Sequence, residues 1–136
     1  MYQIKAKHSW TDKEEFKCTY EYLKYSLRDC SMKEYTELLN NLSRQLPDIS
    51  KNSIRCKLQN IKWLCELLDI PDFVRINPLG HISTTNDYFF RLIIQLPEIA
   101  ELISARRRDI EDQKKNAPSL DDIRKIVGSY QNKKFN

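Results

Sequence analysis

The chain has 136 residues, a formal net charge of +4, and 40% hydrophobic against 31% charged residues. That length suits one domain with a short appendage, and 2 glycines with 5 prolines exclude collagen-like and low-complexity architectures. Aromatic residues at 10% argue against intrinsic disorder, and no apolar run approaches the ~20 residues of a membrane-spanning helix. The first ten residues lack an apolar export core, so a cytoplasmic chain is expected. Cys18, Cys30, Cys56 and Cys65 form no C-x-x-C pair. They read as small buried or half-buried thiols rather than a zinc knuckle or a disulfide framework.

Helix signals recur along the chain and strand signals do not. Thr11 with Glu14 reads as a capping box opening a helix over 12–29, with Phe16, Tyr20, Leu23 and Leu27 on one face. Ser31 with Glu34 is a second box, behind which stand Tyr35, Leu38, Leu39, Leu42 and Leu46. Pro47 ends that helix, because the residue before a proline avoids the α region. Ser50 caps a third, with Ile54, Leu58, Ile61, Cys65 and Leu68 on its apolar face, and Pro71 closes it. Residues 72–83 form the longest irregular connection.

A fourth helix is expected from Ser83–Thr85 through Phe89, Leu92, Ile93 and Leu96, with Pro97 beginning a fifth. Tyr88–Leu96 is apolar on too many sides for a surface helix, so it is either a central core helix or half of a homodimer interface; the core helix is preferred. Arg106–Arg108 reads as a solvated helix end in preference to a phosphate grip, since Asp109, Glu111 and Asp112 follow directly. After a break at 116–118, Ser119 with Asp122 caps a last helix bearing Leu120, Ile123, Ile126, Val127 and Tyr130, before a polar tail expected to fray. The expected fold is all-α with five to six helices. It comprises a helix-turn-helix-like three-helix domain over 1–70 and a loop and helical extension over 71–136 that packs on it, the two forming one compact unit.

Charge is unevenly spread. Arg44, Lys51, Arg55, Lys57 and Lys62 face only Asp48 between residues 44 and 62. On a wheel of ~100° per residue, Asn52, Arg55, Gln59 and Lys62 lie opposite the apolar stripe of the third helix. Arginine pairs with guanine edges, and asparagine or glutamine with adenine edges. Lys51, Asn52, Arg55, Lys57, Gln59 and Lys62 are therefore the expected DNA-binding set, with lysines on phosphates and Arg55, Asn52 and Gln59 on bases. Any surface helix also has a solvated polar face, and Lys57 and Asn60, which flank the core stripe, read equally as fold-keeping residues. Trp63, about 180° from the stripe, requires a partner of its own.

Trp10-Thr11 with Glu14, Tyr22-Leu23, Leu42-Ser43 with Leu46, Asn52-Ser53-Ile54, Lys57-Leu58, Asn60-Ile61 and Ile76-Asn77-Pro78-Leu79 together carry a resemblance across residues 10–90. The segment resembles the N-terminal helical, Myb- and helix-turn-helix-like domain of HNH-type restriction endonucleases. That resemblance implies an accessory domain that engages DNA beside a nuclease. The nuclease itself is expected to be missing, because an HNH site needs clustered histidines on a ββα unit and only His8 and His81 exist. Pro71-Asp72 with Asp112-Gln113-Lys114 imitates a metal-dependent nuclease pattern but lacks the strands that bring two carboxylates to one ion. No enzyme activity, catalytic residue, metal or cofactor is expected. The expected function is a non-catalytic DNA-binding module of a restriction or phage-defence system. The alternative is a protein-interaction module, a small inhibitor or adaptor acting on a nuclease complex.

Overall fold

The computed structural model describes residues 9–28, 32–116 and 118–128, with helical backbone continuing through 129–135. It holds six helices: α1 (Asp12–Ser26), α2 (Met32–Gln45), α3 (Lys51–Leu67), α4 (Thr84–Ile93), α5 (Pro97–Asn116) and α6 (Leu120–Phe135). No strand occurs among the described residues, so the fold is all-α. His8, Cys30, the Ser31 cap and the side chain of Tyr130 lie outside the described residues.

Polar side chains set the helix starts. The Thr11 hydroxyl accepts from the Glu14 amide and the Glu14 carboxylate accepts from the Thr11 amide, closing the expected box. Ser50, Ser83 and Ser119 accept from the amides of Ser53, Asn86 and Asp122 at the starts of α3, α4 and α6. Each such cap satisfies a donor that has no partner inside its helix. Pro97 opens α5, where a missing amide proton costs nothing. α6 runs through the tail to Phe135.

Residues 1–106 form one compact unit and 107–136 a second. The first unit thus takes in α4 and the start of α5 together with the three N-terminal helices. The physical reason is hydrophobic. Phe90 and Ile93 of α4 and Ile99 of α5 are fully buried in the same core as Tyr22, Leu23, Leu38, Leu42, Ile54, Leu58 and Ile61. Without them the first three helices would leave that core open. α1 packs against α2, α3 and α4, and α3 packs also against α2 and α4. Leu46 and Ile49 are buried in the five-residue turn between α2 and α3, which holds these two helices close in sequence and in space.

The α2 stripe is as expected: Tyr35, Leu38, Leu39, Leu42 and Leu46 are all buried. The α1 stripe is rotated from the expected one. Glu15, Cys18, Thr19, Tyr22, Leu23 and Ser26 face inward, while Phe16 is 41% exposed and stacks on Tyr20 at 5.5 Å. On α4, Phe90 and Ile93 enter the core, but Tyr88 and Leu92 face outward, so the helix is central on one side only. In the second unit no residue of α6 is buried among those described; Leu120, Ile123, Ile126 and Val127 are exposed.

Candidate nucleic-acid interface on helix α3

Six residues of α3 carry the expected interface, and the structure sorts them into two sets. Lys51, Asn52 and Arg55 are exposed and Gln59 is half-buried. Arg55 approaches the buried Tyr35 phenol of α2. Burial pushes that phenol up from its ordinary range, and the Arg55 charge works in the opposite direction. Asn52, Arg55 and Gln59 step by three and four residues, so their side chains follow one line along the helix.

Lys57 does not belong to that line. It is 7% exposed, and its Nζ donates to Glu15 Oε1 at 2.8 Å while lying 4.6 Å from the centre of the Trp10 ring. Glu15 is buried too, and its other oxygen accepts from Asn86 Nδ2 of α4 at 3.0 Å. One carboxylate thereby ties α1 to α3 and α4. The arrangement follows from the wheel: Leu64 is buried at about −80° from Ile54, so the true apolar face spans both sides of Lys57 at about −60°. A lysine at that angle enters the core, and only a buried counter-charge makes it tolerable there. Lys57 is therefore not a DNA ligand, contrary to the expectation from sequence, but a fold-keeping residue. The signal for it, Glu15, stands 42 residues away and reads as an ordinary first-turn acid.

Lys62 is the second correction. Its Nζ meets Asp72 Oδ1 at 2.5 Å, and the Tyr22 hydroxyl donates to Asp72 Oδ2 at 2.7 Å. The Asp72 side chain is 2% exposed and that of Lys62 12%. Burial raises the Asp72 carboxyl above its ordinary value against the opposing pull of Lys62 and Tyr22. Burial and the neighbouring Asp72 charge push the Tyr22 phenol far up. Lys62 therefore neutralises a buried acid and is not a free phosphate ligand.

The loop after α3 runs back along the helix and limits its open face. The Gln59 carbonyl accepts from the Leu79 amide at 3.1 Å. The Asn60 amide nitrogen, turned towards the loop, donates to the Leu79 and Gly80 carbonyls at 2.6 and 3.2 Å, so Asn60 too keeps the fold. Trp63 finds its partner here: a Cβ built on Gly80 would stand 3.7 Å from the indole Nε1, ordinary contact distance. What stays open on α3 is the N-terminal half of the line, from Lys51 to Gln59.

Cys18 and Cys65 are buried free thiols, as expected of structural cysteines. Burial pushes the Cys18 thiol up to about 12, and burial with the Asp72 charge raises that of Cys65. Cys56 is half-buried on the outer side of α3. Among the described residues no group of three or more His, Cys, Asp and Glu side chains gathers to hold a metal ion. No helix among them is long and apolar enough to cross a membrane. No protein-family model matches the chain, and neither a curated protein nor a solved structure emerges as a relative.

Proposed function

We propose that the chain is a non-catalytic DNA-binding module of a restriction- or defence-type system that meets duplex DNA through the N-terminal half of α3. The observation that carries this reading is the line Asn52, Arg55 and Gln59. It is the stretch of α3 whose hydrogen-bonding side chains neither enter the core nor spend themselves on the loop. The likeness of residues 10–90 to the helical domain that accompanies HNH nucleases supports the same reading. In it Lys51 holds a phosphate at the start of the helix, while Arg55, Asn52 and Gln59 meet base edges in the major groove. Lys57 and Lys62 keep the helix in place and touch no DNA.

Titration of a labelled duplex at two salt concentrations tests the proposal. Affinity falls as salt rises, because each neutralised phosphate releases counterions. The double variant Arg55→Ala/Gln59→Ala loses most of the binding while melting like the parent. Absence of salt-dependent binding at low ionic strength contradicts the proposal.

A second reading, a protein-interaction module that restrains or recruits a nuclease complex, is favoured by a different observation. Leu120, Ile123, Ile126 and Val127 leave α6 with an apolar stripe open to solvent. Asp121, Asp122, Arg124 and Lys125 flank it with both signs of charge, which suits an apolar groove with a mixed-charge rim on a partner protein. Under this reading Ile123→Asp/Val127→Asp abolishes partner binding and Arg55→Ala/Gln59→Ala leaves it intact.

A further inference from the structure

We propose that the cleft between the C-terminal half of α3, the loop after it and α5 is a binding site for a phosphate group. This deepens the reading of α3 as a nucleic-acid surface and rests on it for the source of that phosphate. The cleft encloses about 480 Å³ and is lined by Lys62 and Glu66 of α3, Asp72, Phe73 and Arg75 of the loop, and Arg106 of α5.

Arg106 is the central observation: it stands inside α5 and is half-buried, in contrast to the solvated helix end expected of the Arg106–Arg108 run. The Arg106 guanidinium carbon lies 3.5 Å from the centre of the Phe73 ring, so the cation rests against the ring. Stacking occupies a face of the guanidinium and leaves the N–H donors at its edge for an acceptor beside the ring. The Nε–H donor is sealed from water and finds no acceptor in the protein. A buried donor without a partner carries a desolvation cost, which is relieved when the Arg106 side chain shifts to meet an acceptor that enters the cleft. Phe73 is itself fixed, since its amide donates to the Ser26 carbonyl at 2.6 Å. The stacked arginine is thus presented on a built platform and is not a freely moving surface side chain.

The charge balance favours an anion. Asp72 is buried and its charge is offset by Lys62, while Tyr22 hydrogen-bonds its other oxygen, so the pair adds no net charge to the cleft. Arg75 and Arg106 then stand against Glu66 alone, which is exposed on the rim. The cleft also continues the proposed interface, because Arg55, Gln59, Lys62 and Glu66 step by four, three and four along α3. A strand lying against Arg55 and Gln59 would carry a neighbouring phosphodiester towards Arg75 and Arg106. A free phosphate or pyrophosphate presents the same oxygens.

Nitrogen-15 NMR of the arginine Nε–H groups, on the full chain, tests the site with two probes: a short DNA duplex and inorganic pyrophosphate. The Arg106 Nε–H signal shifts on addition of duplex, and Arg75→Ala and Arg106→Lys each weaken duplex binding roughly threefold to tenfold and lower the salt slope by about one. Arg75 is exposed, so its replacement leaves folding intact; Arg106→Lys keeps the charge and removes the stack. An Arg106 signal unmoved by either probe overturns the site, as does parental affinity in both variants. If Arg55→Ala/Gln59→Ala abolishes duplex binding while Arg75 and Arg106 variants bind normally, the α3 reading stands and the cleft fails. If pyrophosphate alone moves Arg106, the DNA backbone is not the occupant and the cleft proposal fails, while Arg55→Ala/Gln59→Ala still decides the α3 reading.

Discussion

Two sides of helix α3 carry the same kinds of residue and do opposite things. Lys57, on one side, is paired with Glu15 beside the Trp10 ring, and that carboxylate, bonded also to Asn86, joins three helices. Arg55 and Asn52, on the other, are exposed and free to meet a ligand. Residue type does not separate them; angle around the helix does in the N-terminal half of α3, and further along the loop partner Asp72 takes Lys62 out of the open side as well. A cation at about −60° from the core centre lands among buried side chains, and one at about 100° does not. Polar residues on the first side are there for the fold, and only those on the second are available for recognition.

The largest expected effect comes from breaking the enclosed side. Glu15→Ala leaves Lys57 buried without its counter-charge and destabilises the fold by about 3–5 kcal/mol in urea denaturation. Glu15→Ala/Lys57→Met removes both charges and recovers much of that loss. A measured cost of Glu15→Ala below about 1 kcal/mol would mean the pair is effectively solvated. On the open side, Arg55→Ala/Gln59→Ala lowers duplex affinity by about 2–4 kcal/mol, the worth of one or two base-edge contacts. The same change moves folding stability by less than about 0.5 kcal/mol. The comparison is sharpest in these two variants, since each changes one property and spares the other.

Asp72 gives a pH signature to the enclosed part of the molecule. Its carboxyl is raised in the folded protein, so the folded state binds that proton more tightly than the unfolded chain does. The resulting stability is fully present below the ordinary carboxylate range and is lost as pH rises through the raised folded value. Asp72→Asn flattens that part of the stability profile, and an unchanged slope would contradict the assignment. The smallest effect is expected at Phe16. Being 41% exposed, it costs less than about 1 kcal/mol on truncation to alanine in the same denaturation assay, against about 3–5 kcal/mol for the buried Phe90.

What the sequence made legible follows from where the physics is local. Caps at Thr11, Ser50, Ser83 and Ser119 depend on neighbours three residues away, so they can be read directly. The α2 stripe is purely leucine and tyrosine at helical spacing, and it falls as expected. The α1 stripe misleads because Phe16 and Tyr20 satisfy one another at the surface while Glu15 and Thr19 occupy core positions. The buried Glu15 is tolerated only through Lys57 and Asn86, 42 and 71 residues further on. Lys62 misleads for the same reason, its partner Asp72 lying across the turn that ends α3. On the candidate interface, the residues whose role depends on local angle alone, Asn52 and Arg55, are those that stay outward. Those diverted by a distant partner were beyond any one-dimensional pattern.

The account turns on whether the outer line of α3 touches nucleic acid. Backbone NMR of the labelled chain during titration with a short duplex at low salt measures this directly. The account predicts that amide shifts gather on Lys51–Gln59 and fade as salt is raised, while Glu15 and Asn86 stay still. Shifts confined to α6, or none at all, would contradict it.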